Sequence, residues 1–249
     1  MAAPRLGIQL YTVRELTGAD TFKDTLRQLS ELGFEGVEFA WRYGGMGPEA
    51  LAAFLDALGL TCCGLHVKLP ELLDPEHQVY DYALATGSRF ITTSLAGRQA
   101  EWPALLPQVQ EAGRIAAGKG LVFTYHNHWQ EFEPIAGEYA LDRLFAGTDP
   151  ELVKAEIDLG WVCRAGVNPY TYWRKYGQRA PQIHLRDYDV AAGAVCDVGD
   201  GFIDPHATVR QARECGAEWL IYEQDTYPVS PFASCRVCAE RMRPALAAE

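Results

Sequence analysis

The residues best suited to chemistry are carboxylates and imidazoles that close short apolar runs. Asp158 ends one such run, His184 lies near the end of another, and Glu223 ends a third. Carboxylate oxygens together with an imidazole suit a divalent cation of the Mg, Mn, Co or Zn kind. In an extended segment, side chains two apart share a face, so Glu156 goes with Asp158, His184 with Arg186, and Glu223 with Asp225. A cation would keep the acidic members ionised and leave the arginine to orient substrate oxygens. The competing reading is a structural charge network of Asp158 and Glu223 with Arg186. The densest stretch is Tyr125-His-Asn-His128, followed by Glu131-Phe132. Its two imidazoles and nearby carboxylate suit metal binding and proton movement, because imidazole titrates near neutral pH. His126 and His128 share a face if the strand extends that far.

These side chains need elements to hold them, and the chain repeats one pattern: an apolar run, a loop, then an amphipathic segment. The spacing predicts strands at Leu6–Tyr11, Gly36–Ala40, Thr61–Val67, Arg89–Ser94, Leu121–His126, Leu152–Asp158, Gln182–Arg186 and Trp219–Glu223. Near-continuous apolar runs of this kind mark parallel strands covered on both faces. Helices are expected between them. Pro48, Asp74-Pro75, Asn168-Pro169 and Asp204-Pro205 supply helix starts, and Gly33, Gly59, Gly87, Gly177 and Gly216 supply ends. A last helix is expected from Pro231 through Arg241. Eight strand–helix units in about 250 residues predict a single α/β domain over residues 1–249, a closed (β/α)8 TIM barrel. An open doubly wound sheet would want a glycine-rich phosphate loop, and neither G-x-G-x-x-G nor G-x-x-x-x-G-K-[ST] is present. In a barrel the site lies at the carboxyl ends of the strands, where Glu38, His66, His126, Asp158, His184, Arg186, Glu223 and Asp225 collect.

Composition narrows the function classes. The 249 residues are 48% hydrophobic and 22% charged, which is ordinary for a globular chain and unlike a disordered one. Runs such as Trp219–Tyr222 are far too short to span a bilayer. Met1-Ala-Ala-Pro-Arg5 reads as no signal peptide, and the chain is expected to be cytoplasmic. A formal net charge of −11 with no basic block disfavours nucleic acid as a partner. The seven cysteines lie mostly in apolar segments and read as reduced, packed residues, Cys235-Arg-Val-Cys238 included.

Taken in order, several pieces resemble the xylose isomerase-like TIM barrels, in particular the sugar phosphate isomerase/epimerase branch. They are Leu6-Gly-Ile-Gln-Leu-Tyr-Thr-Val-Arg14, Gly36-Val-Glu-Phe39, Gly64-Leu-His66, Tyr125-His-Asn-His128 with Glu131-Phe132, and Glu156-Ile-Asp-Leu-Gly-Trp161 with Ala165-Gly166 and Pro169. Ile183-His-Leu-Arg-Asp187, Gly199-Asp-Gly201 with Asp204, and Tyr222-Glu-Gln-Asp225 complete the series. The resemblance implies a divalent metal held by a Glu–Asp–His–Glu set, with Asp158, His184 and Glu223 matching three places. Many relatives carry the first glutamate where this chain has Tyr125 and His126. Glu131 swinging back is the expected fourth ligand, with His126 or His128 as substitutes. Trp161 stands where related isomerases often carry histidine, and offers an aromatic platform to a larger ring. Arg186 stands where lysine is common and presents a planar fork.

The expected chemistry is metal-assisted proton transfer beside a carbonyl of a small-molecule sugar or keto-sugar, passing through an enediolate. His126, His128, Glu131 and Glu223 are the candidate proton carriers. Tyr11, Glu38, His66, Trp161 and Arg186 are the candidate substrate contacts. Isomerisation or epimerisation returns the proton to carbon. The alternative is a lyase, an inosose-type dehydratase or a 3-keto-glycoside lyase, and more remotely a sugar-binding barrel without catalysis. Phosphodiester hydrolysis would need more metal ligands than the chain offers. No membrane partner is expected, and a homodimer stays open.

Overall fold

In the computed structural model, which describes residues 3–248, eight parallel strands close on themselves. They are β1 (Arg5–Gln9), β2 (Gly36–Ala40), β3 (Thr61–His66), β4 (Phe90–Thr93), β5 (Val122–His126), β6 (Lys154–Asp158), β7 (Gln182–Leu185) and β8 (Trp219–Tyr222). Each pairs with its neighbour in chain order, and β8 returns to β1 with Ile8 opposite Tyr222. The fold is a (β/α)8 TIM barrel, as the strand spacing predicts.

Alternation along the strands sorts the interior into levels. Cys63, Phe90, Trp219 and Ile221 form an apolar cluster of their own. The layer nearer the carboxyl ends is polar and linked by its own hydrogen bonds. Thr92 and Thr124 share a hydrogen bond of 2.6 Å, and Thr124 donates to Gln182 Oε1 at 2.9 Å. Gln182 Nε2 reaches the Cys63 carbonyl at 3.0 Å, while Gln9 Nε2 donates to Glu38 Oε2 at 2.8 Å. Above this layer stand the carboxylates and imidazoles of the site.

Several local expectations needed correction. Asp74-Pro75 does not start a helix: Asp74 Oδ1 accepts from the Glu76 N–H and makes a turn, and the helix begins only at Val79. Tyr11 does not extend β1. Gln9 Oε1 accepts from the Tyr11 N–H and turns the chain into a 3-10 segment, Leu10–Leu16. The last helix runs Pro231–Ala247, beyond Arg241. Asn168 and Asp204 cap their helices as expected, accepting from Thr171 and Ala207 N–H. Two small antiparallel hairpins decorate the loops after β5 and β7, Pro134–Ile135 with Glu138–Tyr139 and Asp187–Asp189 with Ala194–Cys196. Among the described residues no helix is long and apolar enough to cross a membrane.

Candidate active site

A cavity of about 580 Å³ opens at the carboxyl ends of the strands. At its floor, His126 and Glu223 belong to a buried group of four side chains. His126 (end of β5), Asp158 (end of β6), His184 (β7) and Glu223 (just past β8) offer ligand atoms within 4.8 Å of one another. The chain holds each in place by simple means. Asp158 caps the helix Leu159–Arg164 through Oδ1, which accepts from the Trp161 N–H at 2.9 Å. Asn127 clamps the Asp158 backbone, accepting from its N–H at 3.2 Å. His184 lies between acids, with Nδ1 2.7 Å from Glu223 Oε2 and Nε2 2.8 Å from Glu38 Oε2.

Arg186 is completely enclosed and gathers the acids. Its Nε donates to Asp158 Oδ2 at 2.8 Å, one terminal nitrogen lies 3.0 Å from Glu223 Oε2, and the other donates to Asp225 Oδ2 at 2.8 Å. Gly160 makes this possible, since a Cβ there would come within 2.6 Å of Arg186 Cγ and its carbonyl oxygen. Burial works against ionising Asp158 and Glu223. The Arg186 charge overcomes it, leaving Asp158 low and Glu223 well below the carboxylate range. Burial likewise opposes charge on His184, yet the neighbouring Glu156 and Glu38 charges raise its pKa well above the usual value.

The charge network of Asp158 and Glu223 with Arg186 is therefore real, but it does not account for His126. Neither ring nitrogen of His126 has a hydrogen-bond partner, although the ring is buried. Nε2 stands 3.6 Å from Asp158 Oδ2 and 3.9 Å from Glu223 Oε2, beyond hydrogen-bond reach. Burial, and then the charge on His184, lower its pKa to about 4, so the ring is neutral and its lone pair is free. A buried, unpartnered, neutral imidazole facing two ionised carboxylates and a second imidazole fits a divalent cation.

Expected site residues divide by position. His66, His128, Trp161, Arg186, Glu223 and Tyr11 line the cavity with His126. Glu38 lies beneath the floor, bonded to Gln9 and His184. Glu131 is placed outside the group of four. Its Oε1 accepts from the Tyr125 hydroxyl at 2.9 Å and its Oε2 from the His128 N–H at 3.1 Å, and burial pushes its pKa up to about 7. Trp161 has its ring faces engaged: His128 stacks on it at 5.7 Å, and the Arg186 and Arg164 guanidiniums lie 4.3 and 5.3 Å from its centre. Sequence reasoning missed Gln9, Arg14, Trp41, Lys68 and Ser94, all of which reach the cavity. Position at or just past the ends of the first four strands was the available signal.

A family model for the xylose isomerase-like TIM barrel matches residues 26–242. The chain belongs to that family. It is 26% identical over 257 residues to an inosose dehydratase of Clostridium botulinum, covering 86% of this chain and 85% of the relative. An inosose dehydratase of Bacillus cereus is 33% identical over 198 residues, 70% of this chain and 65% of the relative. A solved sugar phosphate isomerase/epimerase from Parabacteroides distasonis superposes with a TM-score of 0.81 at 19% identity, covering 99% and 96% of the two chains. The probable 3-DHS dehydratase AsbF from Bacillus anthracis superposes at 0.73 with 14% identity, covering 95% and 97%. The structural likenesses speak for the shared barrel.

Proposed function

We propose that this protein catalyses divalent-cation-dependent proton transfer at the carbon beside the carbonyl of a sugar or keto-sugar, returning the proton in an isomerisation or epimerisation. The observation that carries the reading is the unpartnered His126 ring facing Asp158, His184 and Glu223 at the floor of the cavity. These four residues would hold the cation, with His126 taking the place for which Glu131 was first considered. Two imidazoles and two carboxylates suit Mn, Co or Zn better than Mg. When bound, the cation polarises the carbonyl and acidifies the adjacent C–H.

The chain's own groups do the rest. Arg186 sets a permanent positive charge beside the floor, where charge develops on the substrate oxygen. His128 is the proton carrier. Burial lowers its pKa to about 3, so the ring is neutral, and the Ser94 hydroxyl engages Nδ1 at 3.0 Å. In the tautomer whose Nδ1–H donates to Ser94, Nε2 is the acceptor. Glu131 acts through His128, fixing its backbone N–H. Glu223, which also lines the cavity, is the second carrier.

Elimination is the second reading, favoured by the names of the curated relatives, which are inosose dehydratases. One experiment tests both. A panel of keto-sugars and inososes is incubated with Mn²⁺-loaded protein in D₂O and followed by NMR and ultraviolet absorption. Deuterium at the carbon beside the carbonyl with the skeleton intact supports the main reading, and an unsaturated ketone supports elimination. Neither product on any substrate, with sugar binding unaffected by chelator, would leave a sugar-binding barrel and overturn both.

A further inference from the structure

The cavity is longer than its reactive floor, and its outer end is built differently. Trp41 stands immediately after β2, on the rim. It is 51% exposed, among the largest apolar side chains left open on the surface. Its φ is +45°, in the left-handed region that a bulky L-residue avoids. A strained backbone that presents an exposed indole is a device more often found at ligand sites than in plain loops. Ala40 and Val67 line the cavity beside it, as does Lys68.

The aromatic partners of Trp41 leave it open. Tyr11 approaches at 6.2 Å, tilted by 52°, and His66 meets it edge-on at 6.4 Å and 84°. Among the described residues no ring stacks in parallel on Trp41. Trp161, by contrast, already carries His128 and two guanidiniums. The free stacking surface is thus at the mouth, not beside the ligands. His66 spans the gap, with its ring centre 5.2 Å from that of His126 on one side and Trp41 on the other. The Tyr11–Trp41 wall therefore stands on the far side of His66 from His126. Arg14 stiffens that wall, covering the Tyr11 ring at 4.5 Å while bonding the Asp225 carbonyl at 3.3 Å.

We infer that the cavity takes a two-ring substrate, a glycoside whose keto-sugar ring occupies the floor and whose second ring, sugar or aromatic, stacks on Trp41 at the mouth. The inference rests on the reading above for the identity of the first ring. It adds the second, and makes Trp41 the residue that separates glycosides from single-ring ketones.

The test measures binding of 3-keto-glucose, its phenyl β-glycoside and 3-ketocellobiose to the Mn²⁺-loaded full chain by calorimetry. Wild type, Trp41→Ala and Trp41→Phe are compared, with circular dichroism confirming that each is folded. The two-ring probes are expected to bind about tenfold more tightly than 3-keto-glucose, an advantage in the range of one aromatic stacking contact. Trp41→Ala should erase that advantage, and Trp41→Phe should keep part of it. Equal binding of one-ring and two-ring probes by wild type would overturn this inference. So would an advantage that survives in Trp41→Ala. In either case, deuterium exchange on 3-keto-glucose would leave the proton-transfer reading standing. Failure of all three probes to bind would overturn this inference, while deuterium exchange on any other ketone of the panel would leave the proton-transfer reading standing.

Discussion

His184 belongs to two clusters at once, and they have opposite fates. Through Nδ1 it faces Glu223, Asp158 and His126; through Nε2 it faces Glu38 and, at 3.3 Å, Glu156. Both clusters are carboxylates around an imidazole, and both are buried. The upper one meets the cavity and has the Arg186 guanidinium, which holds its acids ionised. Among the described residues no guanidinium pairs with the lower one. Burial, and then the Glu38 charge, push the Glu156 pKa up to about 8, above the usual carboxylate range. The difference teaches that residue type does not make a site. On the proposed reading, the cluster that meets the cavity exchanges its proton for a cation, and the same chemistry sealed below it is a support. Glu38 orients His184 from the far side, the arrangement in which a carboxylate fixes the ring of a metal-binding histidine.

The contrast can be broken most decisively at the upper cluster. Asp158→Ala and His184→Ala should each reduce bound metal to near zero by elemental analysis and lower turnover by about a thousandfold or more, the scale of losing Lewis-acid assistance. Glu156→Gln should stay folded and retain metal; equal loss in that variant would erase the distinction between the clusters. Gly160→Ala comes next. Its methyl displaces Arg186, so kcat/KM should fall by about a hundredfold while metal content stays near wild type. Glu38→Gln sharpens the supporting role: metal affinity, read by competition with a chromophoric chelator, should weaken by about 10–100-fold.

The smallest effect concerns Glu131 and pH. Its folded pKa of about 7 lies above its ordinary 4.5, so the folded state binds the extra proton between those values. The stability this contributes is fully present below about pH 4.5 and is lost as pH rises through about 7. Thermal midpoints measured across that window should fall with rising pH in wild type, and the slope should flatten in Glu131→Gln. An unchanged slope would remove Glu131 from the account.

The strands were legible because parallel barrel strands are apolar on both faces, and their carboxyl ends could be located by where Asp158, His184 and Glu223 interrupt those runs. Asp74-Pro75 misled because a capping residue before proline serves a turn as well as a helix. Glu38 and Glu223 look alike in sequence, since nothing local says that one ends below a histidine and the other beside an arginine. Glu131 lies close in sequence to the histidines but is turned away, because Tyr125 and the His128 N–H satisfy it first. Trp41 offered only its position after a strand, since its meaning lies in a backbone conformation and in exposure, which are properties of the folded loop. Trp161 was visible as an aromatic, but the guanidiniums that occupy it were not.

The proposed function stands or falls with His126 completing a ligand set with Asp158, His184 and Glu223. The most direct measurement is anomalous diffraction from crystals soaked in Mn²⁺. One peak in contact with His126, Asp158, His184 Nδ1 and Glu223, with Glu131 still bonded to Tyr125, is the predicted result. A peak bonded to Glu131 in place of His126, or no peak at saturating Mn²⁺, would contradict it.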